Sequence, residues 1–410
     1  MKLKKLMLLG GSRYLFPVIE KARELGLYVI TADYLPDNAA HKLADEYIDV
    51  SIIEKEKVLA VAREKAIDGI MSFACDPGVA TAAYVAEKMG LPFQCSYESA
   101  KILQDKGLFR KFLLEHGFNS PHAMSYAAGE SPLADVDYFH WPVIVKPVDS
   151  AGSKGVSKVE SPEHLPEAIE KALACSHTGH FIIEDFLEFE SCHSSTDTDM
   201  FTVDGKLCAV SYSDQLFDKE ADNPYTPAFI IWPSTMARDH QDYLTQELQR
   251  LMDLLQMRTG IYNIETVVGK GGIPYIMEVS PRGGGCKIAE LQEMAFGANL
   301  IENEVRKAVG LPLTAIATRP IEGVWCEMVV HAPREEEGTF EELLVKEPVR
   351  SENVRVIDMA TRKGDHVYPF TGANRALGDM FLQFKSRAEL DAAIRDTAKW
   401  LKVELKGQHS

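Results

Sequence analysis

The first hundred residues alternate between short apolar runs and helix-forming stretches, and this alternation is the strongest constraint on the fold. The strands are predicted at 6–9, 28–32 and 70–74. The helices are predicted at about 15–25, at about 54–65, and after Cys75-Asp76-Pro77-Gly78 as far as Met89. A strand–helix–strand order requires crossover connections, which make neighbouring strands parallel. We therefore predict an α/β domain with a parallel sheet and helices on both faces. Ligands in such sheets bind beyond the carboxyl ends of the strands, where Gly10, Asp33 and Asp76 lie.

The remaining chain mixes strands and helices without this regular order, which predicts an α+β part. Long helices are predicted over about 287–309 and about 386–402, and Gly310-Leu311-Pro312 signals a boundary because it combines a helix stop with a proline. We predict three domains, at 1–105, 106–312 and 313–410, the last small and rich in strands.

Charge and cysteine content exclude several classes of protein. The 410 residues include 44 Lys and Arg against 61 Asp and Glu, a net charge of −17, and an acidic chain repels nucleic acid and anionic membranes. The seven cysteines form no C-x-x-C pair, which disfavours zinc ribbons and a disulfide framework. The apolar run 6–9 is too short for a signal peptide, and no run reaches the length of a membrane span. These features predict a cytoplasmic location.

Residues 260–280 carry the strongest chemical signal. Two alternating runs flank Gly269-Lys270-Gly271-Gly272, which predicts a β-hairpin with Gly269 opposite Gly272. That register places Asn263 opposite Glu278 and brings four polar residues to one face: Asn263, Glu265, Glu278 and Ser280. The other face, which includes Ile273, Tyr275 and Met277, is predicted to be core. Two carboxylates on neighbouring strands suit Mg²⁺, although an ordinary solvent-facing hairpin remains the alternative.

Directly after the hairpin, Pro281-Arg282 leads into Gly283-Gly284-Gly285-Cys286-Lys287, which is predicted to open a helix. Glycines allow backbone N–H groups to approach an anion, and a helix N-terminus attracts negative charge. Arg282 could then stabilise charge on a transferring phosphoryl group. The alternative is a simple connection in which Arg282 pairs with Glu278.

Two further segments have the chemistry of a nucleotide site. Lys146 ends the apolar strand 143–146, where a charge is costly without a negative partner, and the small-residue loop 150–155 follows it. Neither a G-x-x-x-x-G-K-[ST] nor a G-x-G-x-x-G motif occurs. The apolar strand 181–184 runs into an acidic stretch that ends at Glu190, where exposed backbone could bind an adenine edge.

Taken together, these pieces resemble the ATP-grasp superfamily of carboxylate–amine and carboxylate–thiol ligases, over about residues 1–312. Within that superfamily, the chain resembles glycinamide-ribonucleotide-synthetase-like and carbamoyl-phosphate-synthase-like members. The motifs follow the family order: Asp105-Lys106, Val145-Lys146-Pro147, the loop 150–155, Glu184-Asp185-Phe186-Leu187, Glu265 and Glu278-Val-Ser-Pro-Arg282.

The resemblance implies roles for individual residues. Lys106 and Lys146 would contact ATP phosphates, and Glu265, Glu278 and Ser280 would bind Mg²⁺ or Mn²⁺. Ser280 stands where the family usually has Asn, and Asn263 on the same face is the alternative for that contact. A lid subdomain would span about 120–187. The other nucleotide contacts implied are Ser150, Gly152, Ser153 and Gly155 in the lid loop, Glu184, Asp185 and Leu187 near adenine, and Glu190 at the ribose.

The function implied by the resemblance is ATP- and Mg²⁺-dependent ligation of a carboxylate to an amine through an acyl phosphate, with Lys146 and Arg282 as the catalytic residues. The alternatives are a bicarbonate-using carboxylase or carbamoyl-phosphate-forming enzyme, and a nucleotide-binding regulator without catalysis. His193 is a candidate general base or a structural histidine. The partners would be small molecules rather than nucleic acid or membrane, and the chain could form a homodimer.

The acceptor substrates are predicted to bind near Asp76, Gly78, Gly284 and Lys287. Asp76 would attract the amine, and Lys287 would attract the carboxylate. The structural alternatives are that Asp76 caps the helix that follows it and that Lys287 is a solvated surface lysine. The sequence does not identify the acid or the amine.

Overall fold

The computed structural model describes residues 3–150 and 152–406. Their contacts group the chain into two compact units, each assembled from three segments. The first unit comprises Met1–Ala123, Asp197–Ser211 and Ala237–Arg319, and the second comprises Met124–Thr196, Tyr212–Met236 and Pro320–Ser410, apart from the residues outside those described. The division into domains at 1–105, 106–312 and 313–410 stays a prediction.

The secondary structure follows the chain in this order. The strands are β1 (Lys5–Leu9), β2 (Tyr28–Asp33), β3 (Glu46–Asp49), β4 (Gly69–Ser72), β5 (Ala123–Ala127), β6 (Val143–Pro147), β7 (Ser157–Val159), β8 (His180–Asp185), β9 (Ser195–Val203), β10 (Lys206–Ala209), β11 (Asp214–Phe217), β12 (Pro227–Trp232), β13 (Gly260–Gly269), β14 (Ile273–Ser280), β15 (Val324–Val330), β16 (Gly338–Val345), β17 (Val354–Met359), β18 (His366–Val367), β19 (Gly378–Phe384) and β20 (Leu401–Lys406). The helices are α1 (Phe16–Glu24), α2 (Lys55–Lys65), α3 (Asp76–Met89), α4 (Tyr97–Gln104), α5 (Lys106–Glu115), α6 (Leu165–Cys175), α7 (Arg238–Leu254), α8 (Ile288–Phe296), α9 (Leu300–Ala308), α10 (Val349–Glu352), α11 (Arg387–Arg395) and α12 (Thr397–Trp400).

The parallel sheet predicted for the start of the chain is confirmed. Its strand order is β3-β2-β1-β4, and all three neighbouring pairs are parallel. The run Leu6–Leu9 is fully buried, as expected for a central strand covered on both faces. The sequence prediction missed β3, whose residues Glu46–Asp49 are half-buried or exposed and carry little apolar signal.

The second sheet of the first unit is antiparallel, with order β10-β9-β13-β14. The predicted hairpin exists, but its predicted register is wrong: Gly269 pairs with Ile273 because Gly271 and Gly272 both adopt left-handed conformations and lengthen the loop. A β-bulge between Glu265 and Thr266 then shifts the register again. Because Thr266 pairs with Ile276, the core side of β14 holds Ile276, while Ile273 is exposed.

The two long helices predicted near the C-terminal side are also corrected. The stretch 287–309 forms α8 and α9 because Gly297 ends the first helix with a left-handed φ of 82°. The stretch 386–402 forms α11 and the short α12, and the chain then turns into β20, which pairs with β16. None of the helices described is long and apolar enough to cross a membrane.

Within residues 124–150 and 152–406, the second unit contains three sheets. The sheet β5-β8-β6-β7 packs against α6 through an apolar core that includes Val143, Val145 and Phe181. The sheets β11-β12-β15-β19-β17 and β18-β16-β20 share a second apolar core with α11. The region after residue 313 is rich in strands, as predicted, and three of its strands, β15, β17 and β19, extend a sheet begun by β11 and β12.

Candidate functional site

The two glutamates of the hairpin lie directly opposite each other. Glu265 on β13 pairs with Glu278 on β14, and the next pair on the same face is Asn263 with Ser280. The Nζ atom of Lys106, at the start of α5, lies 3.7 Å from the Glu278 carboxylate. Burial raises the pKa of Glu265 well above its usual range, and the neighbouring charges of Asp197 and Glu278 raise it further. A cation at this face would relieve that repulsion.

Two buried aspartates that sequence reasoning missed enlarge this carboxylate cluster. Asp197 and Asp199 lie on β9, and the Asn263 amide donates hydrogen bonds to both, at 2.7 and 3.2 Å. Burial is the main cause that raises the pKa of Asp197 to about 6 and that of Asp199 to about 7. The sequence does carry a signal that could have predicted this pair. Two aspartates two residues apart in a buried strand share one face, and buried acidic groups need partners.

Arg282 is held by Asp76. Its Nε and Nη2 atoms donate to the two Asp76 carboxylate oxygens at 2.9 and 2.7 Å, so the alternative pairing of Arg282 with Glu278 is wrong. Burial disfavours the charge on Asp76, but the charge and hydrogen bonds of Arg282 and a hydrogen bond from Ser280 outweigh it. The pKa of Asp76 is therefore below its usual value. Burial likewise opposes the charge on Arg282, yet Asp76 keeps its pKa above the usual value.

Ser280 links this ion pair to helix α4. Its hydroxyl donates to Asp76 at 2.8 Å and accepts a hydrogen bond of 2.8 Å from Gln104. The structure thus brings the three residues Asp76, Ser280 and Arg282 together. Asp76 is the first residue of α3, whose N-cap is Cys75. The Asp76 carboxylate accepts hydrogen bonds from Ser280 and Arg282 instead, so the alternative that Asp76 caps the helix is wrong.

The glycine segment after the hairpin does not open a helix, which corrects the prediction. Helix α8 begins at Ile288, and Lys287 precedes it in a left-handed conformation with φ of 55°. The Gly284 N–H, expected to face a bound anion, donates to both Asp199 carboxylate oxygens at 2.8 and 3.0 Å. Lys287 is largely buried and forms an ion pair with Glu290 at 2.8 Å, so it is not a solvated surface lysine.

Two other glycines are fixed by close packing. A Cβ atom at Gly283 would lie 2.2 Å from the Phe73 ring, and one at Gly78 would lie 2.7 Å from the Ser72 hydroxyl. Gly78 is buried where α3 begins, next to the end of β4. Both positions therefore need glycine to bring chain segments together, whatever else they bind.

In the second unit, the lysine at the end of the apolar strand has the negative partner that its burial requires. Lys146 on β6 forms an ion pair with Glu184 on β8, and both side chains are largely buried. The next residue, Asp185, accepts hydrogen bonds of 2.8 Å from the backbone N–H and the Nδ1 atom of His140, with Nδ1 protonated. Leu187 is half-buried and Glu190 is exposed beyond the strand.

The loop 150–155 touches other segments of the second unit; its residue Ala151 lies outside the described residues, between Ser150 and Gly152. Ser153, with φ of 59°, donates to the Tyr225 carbonyl at 3.0 Å. The Gly152 carbonyl accepts a hydrogen bond of 3.5 Å from the Ala373 N–H. Gly155 is left-handed, with φ of 71°. This is a short, turn-rich loop of the kind that can fold over phosphates.

His193 has the environment of a structural residue. Its Nδ1 accepts a hydrogen bond of 2.8 Å from Arg387, and the same guanidinium donates to Asp214 at 2.6 Å. A histidine whose nitrogen is occupied by a fixed guanidinium is poorly suited to accept a substrate proton there. This geometry favours the structural interpretation over the general base.

Comparisons with known proteins find matches over much of the chain. Residues 121–299 match the family model described as D-ala D-ala ligase C-terminus. The chain is 26% identical over 319 residues to a formate-dependent phosphoribosylglycinamide formyltransferase from Synechococcus sp. (strain WH7803), an alignment that covers 76% of this chain and 78% of that protein. It is 23% identical over 308 residues to the C-terminal section of the carbamoyl phosphate synthase large chain from Aquifex aeolicus (strain VF5), covering 72% of this chain but only 52% of that one.

Among solved structures, the chain is similar to an L-amino acid ligase from Bacillus licheniformis. The TM-score is 0.81 at 20% sequence identity, and the match covers 99% of this chain and all of the other. At this identity the likeness is one of fold.

Proposed function

We propose that this chain, which belongs to the ATP-grasp superfamily of ligases, joins a small carboxylic acid to an amine at the expense of ATP in the presence of Mg²⁺. The observation that carries the proposal is the direct opposition of Glu265 and Glu278 beside Lys106. The comparisons do not favour the bicarbonate-using or regulatory alternatives.

The donor set fits a hard divalent cation. Glu265 and Glu278 offer carboxylate oxygens on one face of the hairpin. The pKa of Glu265 is raised first by burial and then by the charges of Asp197 and Glu278, which a cation would balance. Ser280 donates its proton to Asp76 and accepts one hydrogen bond from Gln104. We therefore propose the two glutamates, rather than Ser280, as the main metal ligands. When bound, Mg²⁺ would neutralise charge on the ATP phosphates.

The reaction proposed has two steps. A carboxylate oxygen of the acid attacks the γ-phosphorus of ATP, and the bond from that phosphorus to the β–γ bridging oxygen breaks to release ADP. The amine nitrogen then attacks the acyl carbon, the new C–N bond replaces the C–O bond to phosphate, and the nitrogen loses a proton. Arg282, oriented by Asp76, would stabilise charge on the transferred phosphoryl oxygens. Lys106 and Lys146 would bind phosphates.

The second unit would hold the nucleotide. Lys146, kept in place by Glu184, is the phosphate ligand proposed there, and the loop of Ser150, Gly152, Ser153 and Gly155 would cover the phosphates. The strand end at Glu184, Asp185 and Leu187 would bind adenine through its backbone, since the Glu184 carboxylate is committed to Lys146. Glu190 remains the ribose candidate because it is exposed.

The observed contacts reduce the set of residues that we propose to bind substrate directly. Asp76 is bound to Arg282, and Gly284 to Asp199, so Asp76 acts as a positioning residue and Gly284 fixes the loop. Gly78 is fixed by packing. Lys287 keeps the proposed role of binding a carboxylate. Cytoplasmic location and homodimerisation also remain proposals.

A screen for ADP release tests this function. Purified chain with ATP and Mg²⁺ is offered pairs of carboxylic acids and amines, and products are identified by mass. ADP and phosphate released together with an amide support the proposal. Release stimulated by bicarbonate alone would indicate the carboxylase alternative, and nucleotide binding without release under any pair would indicate the regulator.

A further inference from the structure

Gln94 lies in the first unit, in the loop between α3 and α4, and only 1% of its surface is exposed. The Nζ atom of Lys307 donates to Gln94 Oε1 at 2.7 Å, and Gln94 Nε2 donates to the carbonyl of Pro281. An ammonium group only donates and a carbonyl only accepts, so these two partners fix the direction of the amide. Gln94 therefore links a buried lysine on α9 to the residue that precedes Arg282.

Lys307 and the backbone of Gln94 are themselves held in place. Lys307 forms an ion pair with Glu304 at 2.8 Å, and the two side chains are 6% and 3% exposed. The other carboxylate oxygen of Glu304 accepts a hydrogen bond of 3.0 Å from the backbone N–H of Ile261, on β13. The Gln94 carbonyl accepts a hydrogen bond of 3.1 Å from the Tyr262 hydroxyl. Rotation of the Gln94 amide would therefore break both hydrogen bonds of its side chain.

The segment that Gln94 contacts carries the arginine proposed for phosphoryl transfer. Proline has no N–H, so the carbonyl is the one backbone group through which Pro281 can form hydrogen bonds. The carbonyl of Arg282 accepts a hydrogen bond of 2.8 Å from the backbone N–H of Asn263. These two contacts hold the backbone from which the Arg282 side chain starts, and the donor to Pro281 is a side chain that a substitution can remove.

Stability alone does not require this buried polar arrangement. Burying an ion pair costs desolvation that the attraction between the charges often fails to offset, and apolar side chains of similar volume are often at least as stable. The chain nevertheless buries Lys307 and Glu304 together with the amide of Gln94. A gain in geometry would account for this, because a displacement of about 1 Å at a reacting group can lower turnover about 10²-fold.

We propose that Gln94, oriented by Lys307, is a positioning residue for Arg282 in phosphoryl transfer; the inference rests on the proposed function. Asp76 fixes the guanidinium of Arg282, and Gln94 fixes the backbone at the other end of that residue. Gln94 acts through Pro281 and does not itself contact substrate. The charge that Arg282 would stabilise develops in the transition state, so loss of this support lowers kcat and leaves the KM for ATP nearly unchanged.

Gln94→Glu is the first test variant, because it keeps the shape of the side chain and an acceptor for Lys307. An ionised carboxylate cannot donate to the Pro281 carbonyl, so that link is lost. We expect kcat for ADP release to fall about 10- to 100-fold, and the KM for ATP to stay within about twofold of the wild-type value. The measurement uses ATP, Mg²⁺ and a pair of acid and amine that supports turnover in the wild type.

Two further variants separate positioning from a loss of folding. Gln94→Met keeps the volume without adding a charge and should show the same fall in kcat, so it carries the test if Gln94→Glu does not fold. The matched control is Asn303→Ala on α9, which removes a buried side chain with hydrogen bonds to Asn299 and Thr314. The control should melt at a lower temperature but keep its kcat. Titration with ATP gives the fraction of each preparation that binds nucleotide, and kcat is calculated per binding site.

The outcomes separate this inference from the proposed function. A wild-type kcat per binding site in the folded Gln94 variants overturns the inference and leaves the proposed function intact. An equal fall in kcat for Asn303→Ala also overturns it, because loss of stability would then explain the effect. A rise in the KM for ATP with unchanged kcat overturns it as well, since Gln94 would then support nucleotide binding. Absence of ADP release by the wild type with every pair overturns the proposed function and this inference together.

Discussion

Glu265 and Glu278 are direct cross-strand neighbours on the hairpin, and a β-bulge immediately after Glu265 allows this register. Without the bulge, the pairing of Gly269 with Ile273 would carry through to place Glu265 opposite Met277, because the paired numbers would keep the same sum. One inserted residue thus brings two carboxylates together on a single face. β-Bulges often re-aim side chains next to active sites, and this one creates the cluster on which the proposed metal site depends.

Asp76→Asn tests whether Asp76 positions Arg282 or binds the amine. The change keeps the shape but removes the charge that balances Arg282, whose side chain is only 8% exposed. We expect a loss of about 3 kcal/mol in the free energy of unfolding and a fall in kcat. Chemical denaturation and steady-state kinetics measure both, with the exposed Asp37→Asn as control. A rise in the amine KM alone, with unchanged stability and kcat, would favour the amine-binding role instead.

The loop after the hairpin offers a matched pair of glycine substitutions. Gly283→Ala should push into the buried Phe73 ring and cost about 1–3 kcal/mol. A Cβ at Gly285 meets no atom within 4 Å, so Gly285→Ala should melt close to the wild type. Equal melting temperatures for the two variants would show that the loop does not pack against Phe73 as described.

Asp199 should make stability depend on pH in Mg²⁺-free buffer. Its pKa is about 7 in the folded chain against an ordinary value of 3.8, so the folded state binds the proton more tightly than the unfolded state. This contribution to stability is therefore present below about pH 4 and is lost as pH rises to about 7. Asp199→Asn resembles the protonated acid, and we expect its melting temperature to fall less between pH 5 and 8. Parallel profiles for variant and wild type would contradict the assignment.

Removing Lys146 should affect both turnover and stability. Lys146→Ala is expected to lower turnover by about 10²–10³, as for loss of one preorganised charge stabiliser, and to weaken ATP binding. The variant also leaves the Glu184 carboxylate buried without its partner, so its melting temperature should fall. The double variant Lys146→Met, Glu184→Gln removes the unpaired charge, and it should therefore recover the melting temperature but not turnover. Lys158→Ala on the neighbouring strand, where Lys158 pairs with Glu160 at 2.9 Å, is the control. Recovery of turnover in the double variant would exclude a role for Lys146 with phosphate.

Much of this site could be predicted from the sequence because alternation along a strand assigns faces directly. Period two places Asn263 and Glu265 on one face of β13, and Glu278 and Ser280 on one face of β14. The need of Lys146 for a negative partner follows from burial. The register of the hairpin could not be predicted from this alternation. It depends on the loop conformation and on the bulge, which are features of backbone geometry that the residue types alone do not determine.

The side-chain contacts that hold the site together could not be predicted from the sequence because they join residues far apart in the chain. Asp76 and Arg282 meet across 206 residues of chain, and Asp199 meets Gly284 across 85. Such pairings depend on how sheets and loops pack, which local patterns do not encode. In the C-terminal region the helical pattern predicts a helix to about residue 402, whereas the chain enters β20 at Leu401. The pairing of β20 with β16 is also a long-range interaction, which the local pattern does not encode.

The most direct test of the account is Mg²⁺-dependent ADP release by Glu278→Gln and Glu265→Gln, measured with a substrate pair that supports turnover in the wild type. The exposed Glu64→Gln on α2 serves as control. The account predicts that both site variants fold, that the control keeps wild-type turnover, and that Glu278→Gln loses turnover at every Mg²⁺ concentration, with Glu265→Gln severely impaired. Wild-type rates and an unchanged Mg²⁺ dependence in both site variants would contradict it.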